Sequence, residues 1–313
     1  MFGIWNLIIG AYETMISFIK YKNFFLGLTL LAVIGSIMAI ANYKLKPGIE
    51  FTGGSVINVE YSGNRPDNAA VAAKIAELNL ADQPTIYAEG EKGLIVRAVT
   101  LDEAQHAALL QKLKDTGDFQ EKSFESIGPV VGKELTSKMS VLIFVSLLAM
   151  LIYIVIAFKS VPGPVAAWQY GVASFLILAH DVLVPLGIFA VLGAFYGVQI
   201  TIPIITALLT VVGYAINNVI VVYDRIRENL LRDHRASFTD IADRAINQTL
   251  SRQINTSVAT LLPVIAIYFW AGTSLKYFAL ALILGIVTGT YSSVFLASQI
   301  LAVWMGFDKK KRK

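Results

Sequence analysis

Residues 24–43 run for twenty positions without a charge, bracketed by Lys22 and Lys44, and that run limits the chain more than any other feature. About 20 apolar helical residues cross the hydrocarbon core of a bilayer, so it reads as a spanning helix. The pattern recurs. Residues 139–158 form a second uncharged run between Lys138 and Lys159. Over 160–223 the ionisable side chains other than tyrosine are His180 and Asp181 alone. That stretch is too long for one crossing and breaks naturally in the 193–203 region, which gives spans at about 165–192 and 202–223. Two more, about 253–271 and 277–304, flank a short turn around Gly272 and Lys276. Six crossings result.

Only 15% of the residues are charged, against roughly 25% in a soluble domain, so most of the chain lives in lipid. The absence of cysteine removes disulfides, thiol catalysis and cysteine metal sites. His106, His180 and His234 are scattered, so neither a metal nor a cofactor is expected. No nucleophile–base pair or phosphate loop is visible, and an enzyme is not expected.

Orientation follows from lysine and arginine in short loops. With the N-terminus inside, the inner side receives Lys20, Lys22, Lys159, Arg225, Arg227, Arg232, Arg235, Arg244, Arg252 and the basic tail 309–313, while the short outer loops receive Lys276. The expectation is a multi-pass protein of the bacterial cytoplasmic (inner) membrane with both termini cytoplasmic. No cleavable signal is expected, because the first strong apolar run is long enough to span and lacks a small-x-small site. Residues 1–23, with Phe2, Ile4, Trp5, Ile8 and Ile9, suggest an interfacial helix. The tail suits anionic membrane lipids, or serves topology alone. Within a cytoplasmic loop at 224–252, residues 236–251 suggest a short amphipathic helix capped by Ser237 or Thr239.

Residues 44–138 are polar and form a domain on the far side. The stretch 55–61 alternates as a strand, with Val56, Ile57, Val59 and Tyr61. Val71, Ile75 and Leu78 fall at helical spacing over 67–79. Residues 85–88 and 94–99 form a hairpin, and Thr100 with Glu103 reads as a capping box opening a helix with Leu109, Leu110 and Leu113 as its stripe. Residues 119–127 give a last strand. The order strand, helix, strand, strand, helix, strand is the ferredoxin-like split βαβ arrangement. Such a domain, tethered at both ends, suits gripping an extended peptide by strand addition, or a structural role.

Three segments carry a resemblance. Gly48-Ile49-Glu50-Phe51-Thr52-Gly53-Gly54 follows the first span, and its glycines with Pro47 mark a turn where backbone approaches closely or takes φ > 0. Ser126-Ile127-Gly128-Pro129-Val130-Val131-Gly132 leads into the second span. Gly213-Tyr214-Ala215-Ile216-Asn217-Asn218, then Tyr223-Asp224-Arg225-Ile226-Arg227-Glu228-Asn229, occupies the fourth. Together they resemble the SecD/SecF family of protein-export subunits, in the resistance-nodulation-division (RND) superfamily, and the short outer region resembles its SecF members. The resemblance implies an α-helical membrane protein with six transmembrane helices, half of an RND-type transporter, with a ferredoxin-like α+β extracytoplasmic domain. It implies SecD, the SecYEG translocon and a preprotein substrate as partners, with YajC and YidC as further candidates, and no nucleic acid. The implied function is proton-driven preprotein translocation; an RND-type small-molecule or lipid exporter half and a non-transporting translocase scaffold are the alternatives.

The resemblance also implies roles for residues inside the spans, where ionisable groups are costly. Arg252 matches an arginine implicated in proton conduction. Asn218 stands where the family carries its proton-binding Asp, beside Asn217, and an amide never becomes an anion. Asn218 is expected to meet Arg252. Either it is an Asp→Asn substitution that impairs coupling or traps a protonated-like state, or it is native and coupling uses another carboxylate. Two further positions are read from the residues alone: Asp181 supplies a relay or serves packing beside His180, and Asp224 with Arg225 and Arg227 suits an interfacial ion pair.

Overall fold

The computed structural model describes residues 16–158, 165–271 and 273–311. Most of the expected leader helix, residues 1–15, and the last two residues of the basic tail lie outside them. The chain divides into two compact units: Met1–Ala39, Val145–Ile188 and Pro203–Lys313 in one, Ile40–Phe144 and Phe189–Ile202 in the other.

In the second unit the elements are α1, whose last residues it contains (Lys22–Tyr43), α2 (Ile49–Thr52), β1 (Gly54–Tyr61), α3 (Asn68–Ala76), β2 (Thr85–Glu89), β3 (Gly93–Ala98), α4 (Glu103–Lys114), β4 (Phe119–Ile127) and the start of α5 (Pro129–Ala157). The sheet is antiparallel in the order β2-β3-β1-β4, the ferredoxin-like topology that the element order predicts. Alternation puts Ile57, Val59 and Tyr61 of β1 on one face, where they pack with Val71 and Ile75 of α3 and Leu109 and Leu113 of α4. One detail differs from expectation. The capping box of α4 is Asp102 with Gln105, whose side chains exchange hydrogen bonds with each other's backbone N–H at 2.8 and 3.1 Å. Thr100 instead donates to the Ile127 carbonyl, because Leu101 is buried and its N–H is held by Ser55 Oγ.

The other unit is helical. It holds most of α1, the later part of α5, most of α6 (Ala167–Tyr196), nearly all of α7 (Ile202–Arg232), then α8 (Phe238–Trp270), α9 (Thr273–Phe295) and α10 (Ala297–Lys311). Among the described residues, six helical segments are long and apolar enough to cross a membrane, the last running through α9 and α10. Over their uncharged runs, residues 24–43 and 139–157, α1 and α5 have no polar face and expose Phe24, Leu31, Phe144 and Ile156, as lipid-facing helices do. α1 buries Ser36 alone, against Gly187 of α6, where a Cβ would come within 2.6 Å of the Ser36 Cα. Between the fourth and fifth spans α7 runs on to Arg232, and the short helix expected over 236–251 is the beginning of α8, which starts at Phe238 and continues into the span without a break. Ser237 caps α8 by accepting from the Asp240 N–H at 3.2 Å.

Candidate functional site

The bundle's interior is set by α7 and α9. α7 buries Ala207, Val211, Ala215, Asn218 and Val222 at three- and four-residue steps, one face of a helix. α9 meets it with Gly285 and Gly289, one turn apart, the small-xxx-small spacing that lets membrane helices approach. A Cβ on Gly285 would lie 2.5 Å from both Val211 methyls, and one on Gly289 would lie 3.0 Å from the Ala215 Cβ.

Close approach brings a polar seam together. Ser257 Oγ of α8 lies 2.7 Å from Tyr214 Oη of α7 and 2.6 Å from Thr290 Oγ1 of α9. One turn along α8, Gln253 Oε1 accepts from Ser293 Oγ at 2.6 Å. A second cluster joins α6 to α9: Ser292 Oγ donates to Asp181 Oδ2 at 2.8 Å, and His180 Nδ1 lies 2.9 Å from Asp181 Oδ1. Both members of that pair are buried, Asp181 completely.

The residues singled out in the sequence occupy different faces. Asn218 is 3% exposed, and its Nδ2 has no hydrogen-bond partner among the described residues, an orphaned donor that costs about 1–3 kcal/mol in such a setting. Arg252 is exposed, while its neighbour Gln253 points inward. Arg252 lines a cavity of about 240 Å³ with Asp224, Arg225, Arg227, Gln248 and Thr249. Among the described residues no hydrogen bond or ion pair joins Asn218 to Arg252. Asn217 and Gly213 lie on the exposed face of α7. Asp224 pairs with Arg227 at 3.7 Å and Arg225 with Glu228 at 2.7 Å. Sequence reasoning missed Tyr214, Gln253, Ser257, Thr290, Ser292 and Ser293; the spacing of Gly285 and Gly289 was the signal that could have located α9's packing face.

In the other unit the glycine-rich turn is a backbone junction. Gly53 and Gly54 have φ of 75° and 127°, and a Cβ on Gly53 would meet Pro129 Cα at 2.9 Å. Gly48 serves close approach: its N–H donates to the Ile200 carbonyl at 2.8 Å, and the Ile200 N–H donates to the Lys46 carbonyl at 2.7 Å. Phe51 offers its carbonyl to Thr136 Oγ1 at 3.2 Å. The Glu50 carboxylate accepts from its own N–H and from that of Ile202 while Oε2 has no partner among the described residues, and burial pushes its carboxyl above the ordinary value.

Comparison with known proteins agrees with this architecture. Residues 106–306 match the family described as protein export membrane protein SecD/SecF, C-terminal, and residues 39–64 match the SecD/SecF GG motif. The protein translocase subunit SecF of Thermobaculum terrenum is 37% identical, over 94% of this chain and 95% of its own length. That of Vibrio alginolyticus is 34% identical, over 95% and 92%. The crystal structure of SecDF from Thermus thermophilus, a translocon-associated membrane protein, superposes with a TM-score of 0.83 at 31% identity, covering 94% of this chain. SecDF in a super-membrane-facing form gives 0.68 at 30% identity, covering 96% of this chain. This chain spans 39% and 40% of those two SecDF chains. The six apolar helices, the four-stranded domain and the matched turn agree with one another: the chain is a multi-pass membrane protein and belongs to the SecD/SecF family, among its SecF members.

Proposed function

We propose that this chain is the SecF half of a SecD–SecF pair in the bacterial cytoplasmic membrane, and that the pair uses the proton motive force to help draw preproteins outward from the SecYEG translocon. The lysine and arginine bias supports cytoplasmic termini, with the ferredoxin-like domain outside, where its sheet can hold an emerging chain.

One observation carries the pairing. α7 exposes Thr206, Thr210, Gly213, Asn217 and Asp224 at three-, four- and seven-residue steps, and α8 exposes Arg252, Asn255 and Thr256. Small and polar groups along the outside of spanning helices suit a second membrane protein far better than acyl chains. A second six-helix half laid against this stripe covers them and brings its own polar side chains to Asn217 and Arg252. Proton movement through such a pair shifts the population of helix arrangements and moves the outer domain. One charge falling through 100 mV yields about 2.3 kcal/mol, enough to bias such an equilibrium.

The chain has no cysteine, so Asn217→Cys paired with single cysteines on the SecD helices reports contact directly. A disulfide at defined positions, with proton-gradient-dependent translocation retained, supports the pairing; crosslinks absent along the whole stripe refute it. Asn218→Asp separates two origins for that amide. A gain of proton flux marks a substitution that held the position neutral, and no gain marks a native amide in a chain that couples elsewhere.

A further inference from the structure

Among the described residues, Asp181 is the only fully buried carboxylate of the spanning helices, and it sits near the middle of α6. Its neighbours are few and specific. On its own helix, His180 Nδ1 lies 2.9 Å from Oδ1. From α9, Ser292 donates to Oδ2 at 2.8 Å, and the Tyr291 ring stands 6.0 Å from the His180 ring. Gly289 of α9 leaves space beside Oδ2, next to Ala215 of α7. No lysine, arginine or second carboxylate makes a hydrogen bond or ion pair with Asp181 among the described residues.

This composition fixes what the pair can carry. With one shared proton it is neutral, as acid plus imidazole or as carboxylate plus imidazolium, and a buried site tolerates either form. Loss of that proton leaves one uncompensated negative charge in the bundle. The pair is therefore a one-proton store. Asn218 lies one turn from Ala215 on the same face of α7, but its amide cannot ionise. Ionisation also changes a helix contact, because a hydrogen bond to a carboxylate is stronger than one to a neutral acid. Protonation of the Asp181 carboxylate loosens the Ser292 bond between α6 and α9, and its release tightens it.

We infer that the Asp181–His180 pair, braced by Ser292, is where this chain takes up and releases the translocated proton, in place of a carboxylate at position 218. The inference rests on the proton-driven role proposed above. One proton enters from the outer side, binds the Asp181 carboxylate beside His180 and leaves inward, with no other bond or electron changed.

The test uses the full chain with its SecD half in liposomes. Proton flux under an imposed gradient is measured beside infrared difference spectra of the same protein taken between acid and neutral pH. Asp181→Asn is expected to lower flux to that of empty liposomes and to erase a buried-carboxyl C=O band, while Asp181→Glu shifts the band and keeps flux. The Glu variant preserves the test if the Asn variant fails to fold. Flux that survives Asp181→Asn, a difference spectrum unchanged by it, or flux driven by sodium at fixed pH overturns the inference. A band that responds to pH without any flux in the unsubstituted pair refutes the motor role and the translocation step, and leaves a proton-binding group only.

Discussion

Adding one methyl group at Gly285 tests how tightly the bundle is fitted. Carbon atoms at rest lie about 3.5–4.0 Å apart, yet a Cβ there would stand 2.5 Å from both methyls of Val211 and 2.8 Å from its Cβ. Valine in a helix holds essentially one χ1 rotamer, so the methyls cannot swing aside and α7 must part from α9 by about 1 Å. Overpacking of this kind costs about 1–3 kcal/mol. Alanine recovers about 0.5–1 kcal/mol over glycine in a helix interior, which leaves Gly285→Ala destabilising by roughly 1–2 kcal/mol. The same shift stretches the 2.7 Å Tyr214–Ser257 contact beyond hydrogen-bonding range. At Gly289 the intruding carbon would sit 3.0 Å from Ala215 Cβ, so about half the displacement is needed and the net cost falls near zero. Reversible unfolding in mixed detergent micelles measures both. The edge-on Trp168–Trp304 pair at 5.0 Å supplies a fluorescence reporter within the bundle. Gly285→Ala as stable as the parent chain, or Gly289→Ala costlier than Gly285→Ala, would refute the reasoning.

Burial holds the Glu50 carboxyl above its ordinary value near 4.5, so the folded chain binds that proton more readily than the unfolded one. The associated stability is present below about pH 4.5 and lost as pH rises through the elevated folded value. Glu50→Gln, which keeps an oxygen for the Ile202 N–H, is expected to flatten the decline of melting temperature over that window, and parallel curves would speak against it. Leu109→Ala opens a cavity in the four-stranded unit, where Leu109 is fully buried; a loss of about 2–5 kcal/mol, read by hydrogen exchange of β1 and β3 in the full chain, is expected. Asp102→Ala removes the α4 cap at about 1 kcal/mol, seen as faster exchange confined to the first turn of α4; slow exchange there would refute the cap.

Spans were legible because hydropathy is additive along a segment, and strands because β1 alternates cleanly between Ile57, Val59 and Tyr61. Which way a polar residue points was not. Arg252 and Gln253 are adjacent, and the roughly 100° between neighbours on a helix decides that one is exposed and the other buried. Hydropathy averaging hides Ser257, Ser292 and Ser293, since one hydroxyl barely changes a window of leucines and valines. The capping box was displaced by two residues because Thr100 and Asp102 both satisfy the pattern, and only the burial of Leu101 selects between them. The boundary of α8 escaped for a different reason: its first half is amphipathic and its second apolar, so a change of composition looked like a change of element.

That continuity has a mechanical meaning. At 1.5 Å per residue the 33 residues of α8 extend about 50 Å, well beyond a hydrocarbon layer about 30 Å thick. Near its beginning, Asp243 accepts from the Ile19 N–H at 2.8 Å and from Ser17 Oγ at 2.7 Å, and Asn247 donates to the Ile16 carbonyl at 2.8 Å. Farther along the same rod stand Gln253 and Ser257, and the internal proline, Pro263, comes only after them. Residues 16–19 and the seam are thus fastened to one continuous helix, so any turn of α8 about its own axis would carry both, as a tiller carries its rudder.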